Sequence, residues 1–371
     1  MKQGYCRIIT ALFCIFFGGT ALLSVLLPKQ TFSPQENRNL AAAPVFSLKR
    51  VMDGRFMDES EAYVSDHIAL REEWVALRAW CERLSGKQEN NGIYFAADDT
   101  LIPRVDEPDG QKLEKDIAFL NTLCQNAEVP VYFGLIPSAA AIWRDRLPPG
   151  APGADEDLWI RDLYASADAQ TVDIGSALFV HKDEALYYRT DHHWTSLGAF
   201  YGANAVFDAM GLPPLSLEDY EKTTVSESFC GTSWSSAGAR WIPPDCIDTY
   251  VPSDGVSVIS NFTGKPVEGS LYVPDCLTQK DQYAYFLGGN QPLCIVTSPS
   301  GGEKLLLIRD SYSDSLAPFL TERFSEIHLF DPRYNLTSIQ DYIEENGIDK
   351  VLVLYSFANF AQEKNLFLLA R

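Results

Sequence analysis

The residues that could do chemistry are concentrated in one short stretch, residues 190–195 (TDHHWT). Six residues there supply a carboxylate, two imidazoles, an indole and two hydroxyls, although the whole chain contains only five histidines. A carboxylate that fixes the tautomer of an imidazole forms the acid–base half of a serine-hydrolase triad. The stretch therefore predicts that His193 is a general base and that Asp191 is its partner.

A second polar stretch, residues 309–313 (RDSYS), supplies the hydroxyl nucleophile that the first one lacks. It follows the apolar run 305–308, which predicts a buried strand, and it precedes a predicted helix. Active sites of open α/β sheets lie at the carboxyl ends of strands, and Ser311 is placed there. A serine hydroxyl needs an imidazole base to attack a carbonyl. We therefore expect Ser311 to converge with His193 and Asp191, and these three are the candidate catalytic residues.

Residues 190–195 also have two simpler explanations. The stretch precedes a helical pattern over residues 197–210, so it could serve only to cap that helix, although a cap needs one hydroxyl rather than two histidines and an acid. The second explanation is a metal site formed by Asp191, His192 and His193. Adjacent side chains in an extended turn diverge, however, and no further ligand cluster is evident. We therefore expect His192 to point away from the base, and we expect no bound metal.

The N-terminal region predicts a membrane anchor. Residues 8–27 carry no charge and follow Lys2 and Arg7. A helix of about 20 residues, at about 1.5 Å per residue, matches the roughly 30 Å hydrocarbon core of a bilayer. The run ends in residues 26–30 (LLPKQ), a poor cleavage site, which favours an uncleaved anchor over a signal peptide. The basic flank stays in the cytoplasm, so the rest of the chain is expected outside it. Further on, residues 68–84 show apolar residues at the spacing of an amphipathic helix.

The body of the chain alternates strand and helix patterns, as α/β proteins do. Continuous apolar runs predict strands of a mainly parallel sheet that is buried on both faces: residues 129–136, 171–174, 305–308, 327–330 and 350–355. Residues 212–300 break this rhythm and predict an irregular, β-rich insertion. Its short β-like runs are 256–259, 270–273 and 283–286. We therefore divide the chain into an anchor (1–30), a linker (31–50) and one α/β domain (51–371) that contains the insertion.

Composition narrows the class of partner. The 371-residue chain has a net charge of −20 and a pI of about 4.6, whereas nucleic-acid binding needs a basic surface. The acidity also disfavours peripheral attachment to anionic lipid. The eight cysteines include no C-x-x-C pair, so the spacing of a zinc site is absent. Four of them lie between residues 230 and 294, where they could form disulfides or stay as buried thiols.

These motifs resemble those of a known family. Residues 191–194 are the signature of the DHHW proteins of Gram-positive bacteria. The N-terminal anchor fits the same pattern, and so do four other parts of the chain: residues 36–38 (ENR), 286–290 (FLGGN), 309–313 and Tyr334. The resemblance covers nearly the whole chain. The DHHW proteins look in turn like the alginate O-acetylation proteins, which have an SGNH-hydrolase-like fold.

The resemblance implies an SGNH-hydrolase-like, three-layer α/β fold. Its matching motifs assign Asp191 and His193 as the acid–base pair and Ser311 as the nucleophile. By a looser likeness, Gly289 and Asn290 are candidate oxyanion donors. Four neighbouring side chains are candidates for contact with the substrate: Arg309, Tyr312, His192 and Trp194. Arg309 stands where the related proteins carry a glycine, and its larger side chain is expected to narrow the site.

The implied function is a membrane-anchored, extracytoplasmic O-acyltransferase that acts on a cell-envelope polysaccharide. It would transfer an acyl group, acetyl in the first place, through an acyl-serine intermediate and without a cofactor. A membrane-bound O-acyltransferase that donates the acyl group is the implied partner. Two alternatives stay open. An esterase or deacetylase would pass the acyl group to water, and a non-catalytic glycan-binding protein would keep the fold without the chemistry.

Overall fold

The structure of the chain, a computed structural model, describes residues 2–33, 38–261 and 264–371. Glu36 and Asn37, which belong to the family pattern, lie outside the described residues. The chain divides into two compact units, which we call the N-terminal unit (Met1–Lys87 with Ser235–Trp241) and the sheet unit (Gln88–Trp234 with Ile242–Arg371). The boundaries predicted at residues 30 and 50 stay predictions.

Helices and strands alternate along most of the chain. The helices are α1 (Lys2–Leu26), α2 (Leu48–Met52), α3 (Arg55–Asp66), α4 (Arg71–Leu84), α5 (Gly110–Asn126), α6 (Ala139–Ile142), α7 (Glu156–Ser166), α8 (Ile174–Val180), α9 (Ser196–Ala209), α10 (Thr232–Ala237), α11 (Ser313–Leu320), α12 (Ile339–Asn346) and α13 (Phe357–Gln362). The strands are β1 (Phe32–Ser33), β2 (Arg38–Asn39), β3 (Glu89–Asn90), β4 (Ile93–Phe95), β5 (Leu101–Pro103), β6 (Val131–Ile136), β7 (Gln170–Val172), β8 (Thr223–Phe229), β9 (Asp245–Thr249), β10 (Ser257–Ser260), β11 (Val267–Gly269), β12 (Leu293–Thr297), β13 (Lys304–Arg309), β14 (Glu326–Phe330) and β15 (Lys350–Ser356). Short 3₁₀ turns lie at Arg144–Arg146, Leu217–Asp219, Pro274–Thr278, Gln282–Tyr285 and Leu366–Ala370.

An eight-stranded sheet forms the core of the sheet unit, in the order β11-β10-β12-β14-β13-β15-β6-β7. The five strands from β14 to β7 run parallel, and they are the five that the apolar runs predict. On β13, Leu305 and Leu307 face a core that includes α9, whereas Leu306 and Ile308 face a core that includes α5 and α12. Helices therefore cover both faces, which confirms the predicted three-layer, mainly parallel sheet.

Part of the segment 212–300 extends this sheet, and another part, β8 with β9, forms a separate two-stranded antiparallel sheet. Its strands β10 and β12 pair antiparallel with each other, and β12 pairs antiparallel with β14. The run 256–259 corresponds to β10, but the run 283–286 was wrongly predicted as β-like and forms mostly a 3₁₀ turn. Its aromatic side chains pack together in one cluster instead of alternating between two faces of a strand. Cys276 and Cys294 are buried free thiols.

The N-terminal unit contains the predicted apolar helix. In the described part of the chain, Gly4–Leu26 within α1 is the one helix long and apolar enough to cross a membrane, with a mean hydropathy of 2.3. The amphipathic pattern at residues 68–84 corresponds to α4, which begins at Arg71. It begins there because Leu70 adopts a left-handed conformation, with φ of 59°, that breaks the helix after α3.

Candidate active site

Two turns of the sheet unit meet at the candidate site. We call residues 190–195 the base turn and residues 309–313 the nucleophile turn. The base turn leads into α9, and the nucleophile turn connects β13 to α11. His193 Nε2 lies 2.8 Å from Ser311 Oγ, and His193 Nδ1 lies 2.5 Å from Asp191 Oδ1. Residues that are 118 positions apart in the chain therefore form one continuous hydrogen-bonded relay.

The hydrogen bonds fix the tautomer of His193. An ionised carboxylate can only accept, so His193 Nδ1 carries the proton and Nε2 is left to accept from the Ser311 hydroxyl. Burial alone would raise the pKa of Asp191, but the two neighbouring imidazoles and hydrogen bonds from His193 and Thr232 hold it well below its usual range. Asp191 therefore stays ionised, and it orients an imidazole that can take a proton from Ser311.

The base turn is held by side chains from the segment 212–300. Asp191 Oδ2 accepts from the Thr232 backbone N–H at 2.7 Å and from its hydroxyl at 2.9 Å. One residue earlier, Asp245 Oδ2 on β9 accepts from the Thr190 N–H and hydroxyl, at 2.8 and 2.6 Å. A Cβ atom at Gly231 would lie 2.2 Å from Asp191 Oδ2, so only glycine lets Asp191 approach this loop.

The nucleophile turn is held by its own aspartate, which bonds to the parallel part of the sheet. Asp310 Oδ1 accepts from the Tyr312 N–H at 3.1 Å. Its Oδ2 accepts three hydrogen bonds of 2.8 to 2.9 Å, from the backbone and hydroxyl of Ser356 at the end of β15 and from Asn359 Nδ2 on α13. Asp310 is 1% exposed, so these bonds replace its solvation and fix the loop on which Ser311 sits.

Trp194 and Tyr312 join the two turns directly. The Trp194 indole N–H is 2.9 Å from the Tyr312 carbonyl oxygen and 3.0 Å from Ser315 Oγ, and the Tyr312 hydroxyl donates to the carbonyl oxygen of His192. The indole lies against α9 at Gly202, where a Cβ atom would approach the ring to 2.6 Å. Each turn thus positions the other, and both side chains are almost fully buried.

Tyr283 supports the base from the segment 212–300. Its ring stacks on the His193 imidazole, with centroids 3.8 Å apart and an interplanar angle of 10°. Its hydroxyl lies 3.1 Å from the Ser311 carbonyl oxygen and 3.0 Å from Ser315 Oγ. Tyr283 is buried, so one side chain fixes both the plane of the imidazole and the backbone of the nucleophile.

The size of the Arg309 side chain had led us to expect that it narrows the site. Arg309 lies in the interior instead and does not narrow the site. It has no exposed surface, and its Nη1 lies 2.8 Å from Asp314 Oδ1 on α11. Burial raises the pKa of Asp314 to about 6, although the charge of Arg309 opposes that shift. Arg309, Trp194 and Tyr312 were candidates for contact with the substrate, but all three contact protein in the interior.

We expected the His192 side chain to point away from His193, but it does not. Its ring lies 3.8 Å from that of His193, because residues 190–193 form a bend instead of an extended strand. His192 Nδ1 lies 2.7 Å from Thr232 Oγ1. Burial and the neighbouring His193 lower the pKa of His192 to about 4. Asp191, His192 and His193 offer ligand atoms within 4.8 Å of one another, as a metal site would require, but Asp191 and both Nδ1 atoms already bond to protein.

Gly289 and Asn290, the candidate oxyanion donors, lie in a loop that is held by other contacts. The Gly289 N–H donates to the Phe286 carbonyl oxygen over 3.4 Å. Asn290 Oδ1 accepts from Arg333 Nη2 at 3.1 Å. The three consecutive residues 287–289 all adopt left-handed φ values, from 60° to 92°. The glycines are thus needed for the shape of this loop, and their role as oxyanion donors stays a prediction.

Sequence reasoning missed four residues that hold the site: Thr232, Asp245, Asp310 and Tyr283. Asp310 had a usable signal, because an Asp directly before a nucleophile and a helix can accept hydrogen bonds from nearby backbone N–H groups. The other three lie in the segment 212–300, where no periodic pattern distinguishes them. Only the path of the chain brings them to the base turn.

The fold and the site define an α/β protein with an SGNH-hydrolase-like sheet and a Ser-His-Asp arrangement at its edge. Residues 160–330 match the family model described as DHHW protein, which confirms the resemblance to that family. No curated protein sequence matches the chain significantly.

Solved structures share this fold. A DHHW family protein from Eubacterium siraeum is 26% identical, with a TM-score of 0.67, and the match covers 76% of this chain and 95% of that one. PatB1 from Bacillus cereus, solved with a sulfonyl adduct, is 19% identical, with a TM-score of 0.62 and coverage of 75% and 98%. The O-acetyltransferase domain of AlgJ from Pseudomonas putida is a weaker match, 14% identical with a TM-score of 0.47, covering 74% and 94%.

Proposed function

We propose that the chain is a serine-dependent O-acyltransferase that acetylates a cell-envelope polysaccharide. The observation that carries the proposal is the relay Asp191–His193–Ser311, in which the base accepts from the nucleophile at 2.8 Å and bonds to its acid at 2.5 Å. If residues 190–195 served only to cap α9, they would not need this relay. The surrounding hydrogen bonds of Asp191 and Asp310 hold both halves of the relay in place before any substrate binds.

In the first half of the reaction, Ser311 Oγ attacks the carbonyl carbon of an acyl donor. His193 Nε2 takes the hydroxyl proton as the new C–O bond forms, and Asp191 stabilises the resulting imidazolium. The tetrahedral intermediate then collapses. The bond to the leaving group breaks, the leaving group takes the proton from His193, and the acyl group stays on Ser311.

In the second half, a sugar hydroxyl replaces the leaving group. His193 takes the proton of that hydroxyl while its oxygen attacks the acyl-serine carbonyl. Collapse breaks the bond to Ser311 Oγ, which recovers its proton from His193, and the sugar leaves as an O-acyl ester. Ser311 is partly exposed and His193 is 6% exposed, so a substrate can reach the nucleophile while the base stays largely shielded from water.

We further propose that α1 anchors the protein in the cell membrane and that the sheet unit acts outside the cytoplasm. The uncharged helix Gly4–Leu26 and the basic residues Lys2 and Arg7 support this orientation. A membrane-bound acyl-donor protein is the proposed partner. A signal peptide would have a similar composition, so the N-terminus of the mature chain tests the anchor: an intact N-terminus in native membranes supports it, and a chain beginning near residue 30 would contradict it.

The catalytic part is tested by trapping the intermediate. The full chain is incubated with p-nitrophenyl acetate, quenched with acid and digested, and mass spectrometry locates the acetyl group. We expect acetyl on Ser311 and a burst of p-nitrophenol. A sulfonyl fluoride is a second probe, because PatB1, which shares the fold, has been seen with a sulfonyl adduct. The matched control is Ser313→Ala, which removes a neighbouring buried hydroxyl. Acetylation that persists in Ser311→Ala would contradict the proposal.

An esterase or deacetylase would use the same relay, so the acceptor decides between the two enzymes. After acetyl-Ser311 has formed, polysaccharide is added and the rate of deacylation is compared with the rate in water alone. A transferase gives faster deacylation and acetylated glycan. Equal rates and free acetate would identify a hydrolase. Glycan binding without any acetyl-Ser311 would identify a binding protein.

A further inference from the structure

Large apolar side chains are exposed mainly in the N-terminal unit. In the described part of the chain, fourteen are exposed between Phe32 and Leu84, and seven are exposed over residues 88–371, which is more than five times as long. Isolated exposed apolar residues need no explanation, but a concentration of them marks an interaction surface. The region that follows α1 therefore carries an exposed apolar surface, which is typical of an interaction surface.

The helix α4 arranges part of this surface as a stripe. Trp74, Leu77, Cys81 and Leu84 follow the spacing i, i+3, i+7 and i+10, so they lie on one side of the helix. Leu77 is 51% exposed and Leu84 is 80% exposed. We call these four residues the α4 stripe.

The opposite side of α4 is already covered by protein within the same unit. A Cβ atom at Gly238 would lie 3.3 Å from Val75 and 3.5 Å from Ala79, and the Trp80 ring lies 4.6 Å from that of Trp241. The helix is thus packed on one side and open on the other. On the side of the α4 stripe, Leu77 and Leu84 are exposed, and Trp74 contacts Phe16 of α1.

The start of α4 contacts the apolar helix α1. The Ala69 N–H donates to Ser24 Oγ at 2.8 Å, and the Trp74 ring lies 5.8 Å from that of Phe16. Ser24 and Phe16 lie inside the apolar run Gly4–Leu26. The contacts between the start of α4 and α1 therefore lie in the C-terminal half of α1. Further along α4, Leu77 and Leu84 are exposed.

We propose that the α4 stripe lies in the outer leaflet of the lipid bilayer, beside α1. The proposal rests on the membrane anchor proposed above but not on the chemistry of Ser311. If α1 spans the bilayer, its contacts with Ala69 and Trp74 bring the start of α4 to hydrocarbon depth, where exposed Leu and Trp side chains are stable. The chain is acidic, with a net charge of −20, so apolar burial and not attraction to anionic lipid holds the stripe.

Cys81 allows a direct test, because it is an exposed native residue on the stripe. Five other cysteines are replaced by alanine (Cys6, Cys14, Cys124, Cys230 and Cys246), and the buried Cys276 and Cys294 are kept. A nitroxide is attached to Cys81 in the full chain, which is reconstituted in phosphatidylcholine vesicles. The control chain keeps Cys246, an exposed residue of the sheet unit, and carries Cys81→Ala.

The measurement compares collisions of the nitroxide with oxygen, which dissolves in lipid, and with a water-soluble nickel complex. We expect the ratio of oxygen to nickel collisions to be severalfold higher at Cys81 than at Cys246. An equal ratio would place Cys81 in water and overturn the proposal. Few collisions with either reagent would mean that protein covers the stripe, which would also overturn it and would indicate a partner protein.

A second variant tests the cause of the effect. Leu77→Lys with Leu84→Lys places two charges on exposed positions of the stripe, so folding should be unaffected while the nitroxide at Cys81 moves toward water. Arg78→Ala, at an exposed position outside the stripe where Arg78 pairs with Glu82, is the matched control and should leave the ratio unchanged. Mass spectrometry of the same membranes establishes that α1 is intact. A chain that lacks α1 would remove the basis of the proposal and overturn it, whatever the result for acetyl-Ser311.

Discussion

The two turns that form the site are built in different ways. The nucleophile turn bonds to the parallel core, because Asp310 accepts from Ser356 and Asn359 at the carboxyl end of β15. The base turn bonds to the segment 212–300, because Asp191 accepts from Thr232 and Thr190 donates to Asp245. The nucleophile turn is therefore held by the parallel part of the sheet, whereas the base turn is held by the segment 212–300.

The nucleophile turn and the base turn therefore depend on different supports. The nucleophile turn takes its support from the sheet itself, because Asp310 bonds to Ser356 at the end of β15 and to Asn359 on α13. An acid–base pair needs a hydrogen-bonded shell around the carboxylate, and here that shell comes from residues about 40 to 55 positions further along the chain. Damage to the nucleophile turn should therefore cost stability of the fold, while damage to the base turn should affect mainly catalysis.

The largest effect is expected when the relay between the two turns is broken, because Ser311 and His193 act as one unit. Ser311→Ala and His193→Ala should each lower the rate of acetyl transfer by about 10⁴-fold to 10⁶-fold, and the double variant should lose little more. The measurement is the rate of p-nitrophenol release by each purified chain. His181→Ala, which removes an imidazole elsewhere in the sheet unit, is the matched control. Losses that multiply in the double variant would show that the two residues act independently.

Asp310→Asn should break the nucleophile turn. Its Oδ2 accepts three hydrogen bonds, and an amide NH₂ at that position could accept none of them. We expect the free energy of unfolding to fall by about 2–4 kcal/mol and the rate of acetyl transfer to fall by about 100-fold, because Ser311 moves. Urea denaturation measures the first and the acetate assay the second. Asp341→Asn on the exposed part of α12 is the control. A stable but inactive Asp310→Asn chain would mean that Asp310 acts on the chemistry directly.

Thr232→Val should affect the base turn with less cost to the fold. It removes the hydroxyl that donates to Asp191 but keeps the backbone N–H, so we expect a loss of about 1 kcal/mol in the free energy of unfolding. The rate of acetyl transfer should fall by about tenfold. Thr232→Ser keeps the hydroxyl and should restore the rate. If Thr232→Val destabilised the fold as much as Asp310→Asn, the contrast between the two turns would be lost.

The smallest expected effect is a pH dependence of stability that belongs to the base turn. The pKa of His192 is lowered from 6.5 to about 4 by burial and by His193, so the unfolded chain takes up this proton first as the pH falls. The free energy of unfolding should therefore decrease between pH 6.5 and 4. His192 is 35% exposed, so the decrease is about 1 kcal/mol after allowance for solvent screening. His192→Gln should flatten this part of the curve of stability against pH, as measured by urea denaturation. An unchanged curve would assign the dependence to other groups.

Much of the fold was predictable because its strands are buried on both faces. Continuous apolar runs identified the five parallel strands, and the helix patterns that alternate with them implied an α/β fold. The antiparallel extension by β10 to β12 was not predictable in the same way. These strands are short and partly exposed, so their sequences resemble loops, and their pairing with β14 depends on contacts between distant parts of the chain.

By itself, the sequence determined which residue types could form a relay and which element each would lie on. Asp191, His193 and Ser311 each belong to a recognisable turn next to a helix, and local patterns report such turns. Only the tertiary structure decided what surrounds them. It placed Arg309 in the interior with Asp314, set the His192 ring against that of His193, and brought Thr232 and Tyr283 to the base. Side-chain direction and long-range hydrogen bonds depend on how distant segments pack, and no local pattern in the sequence records that.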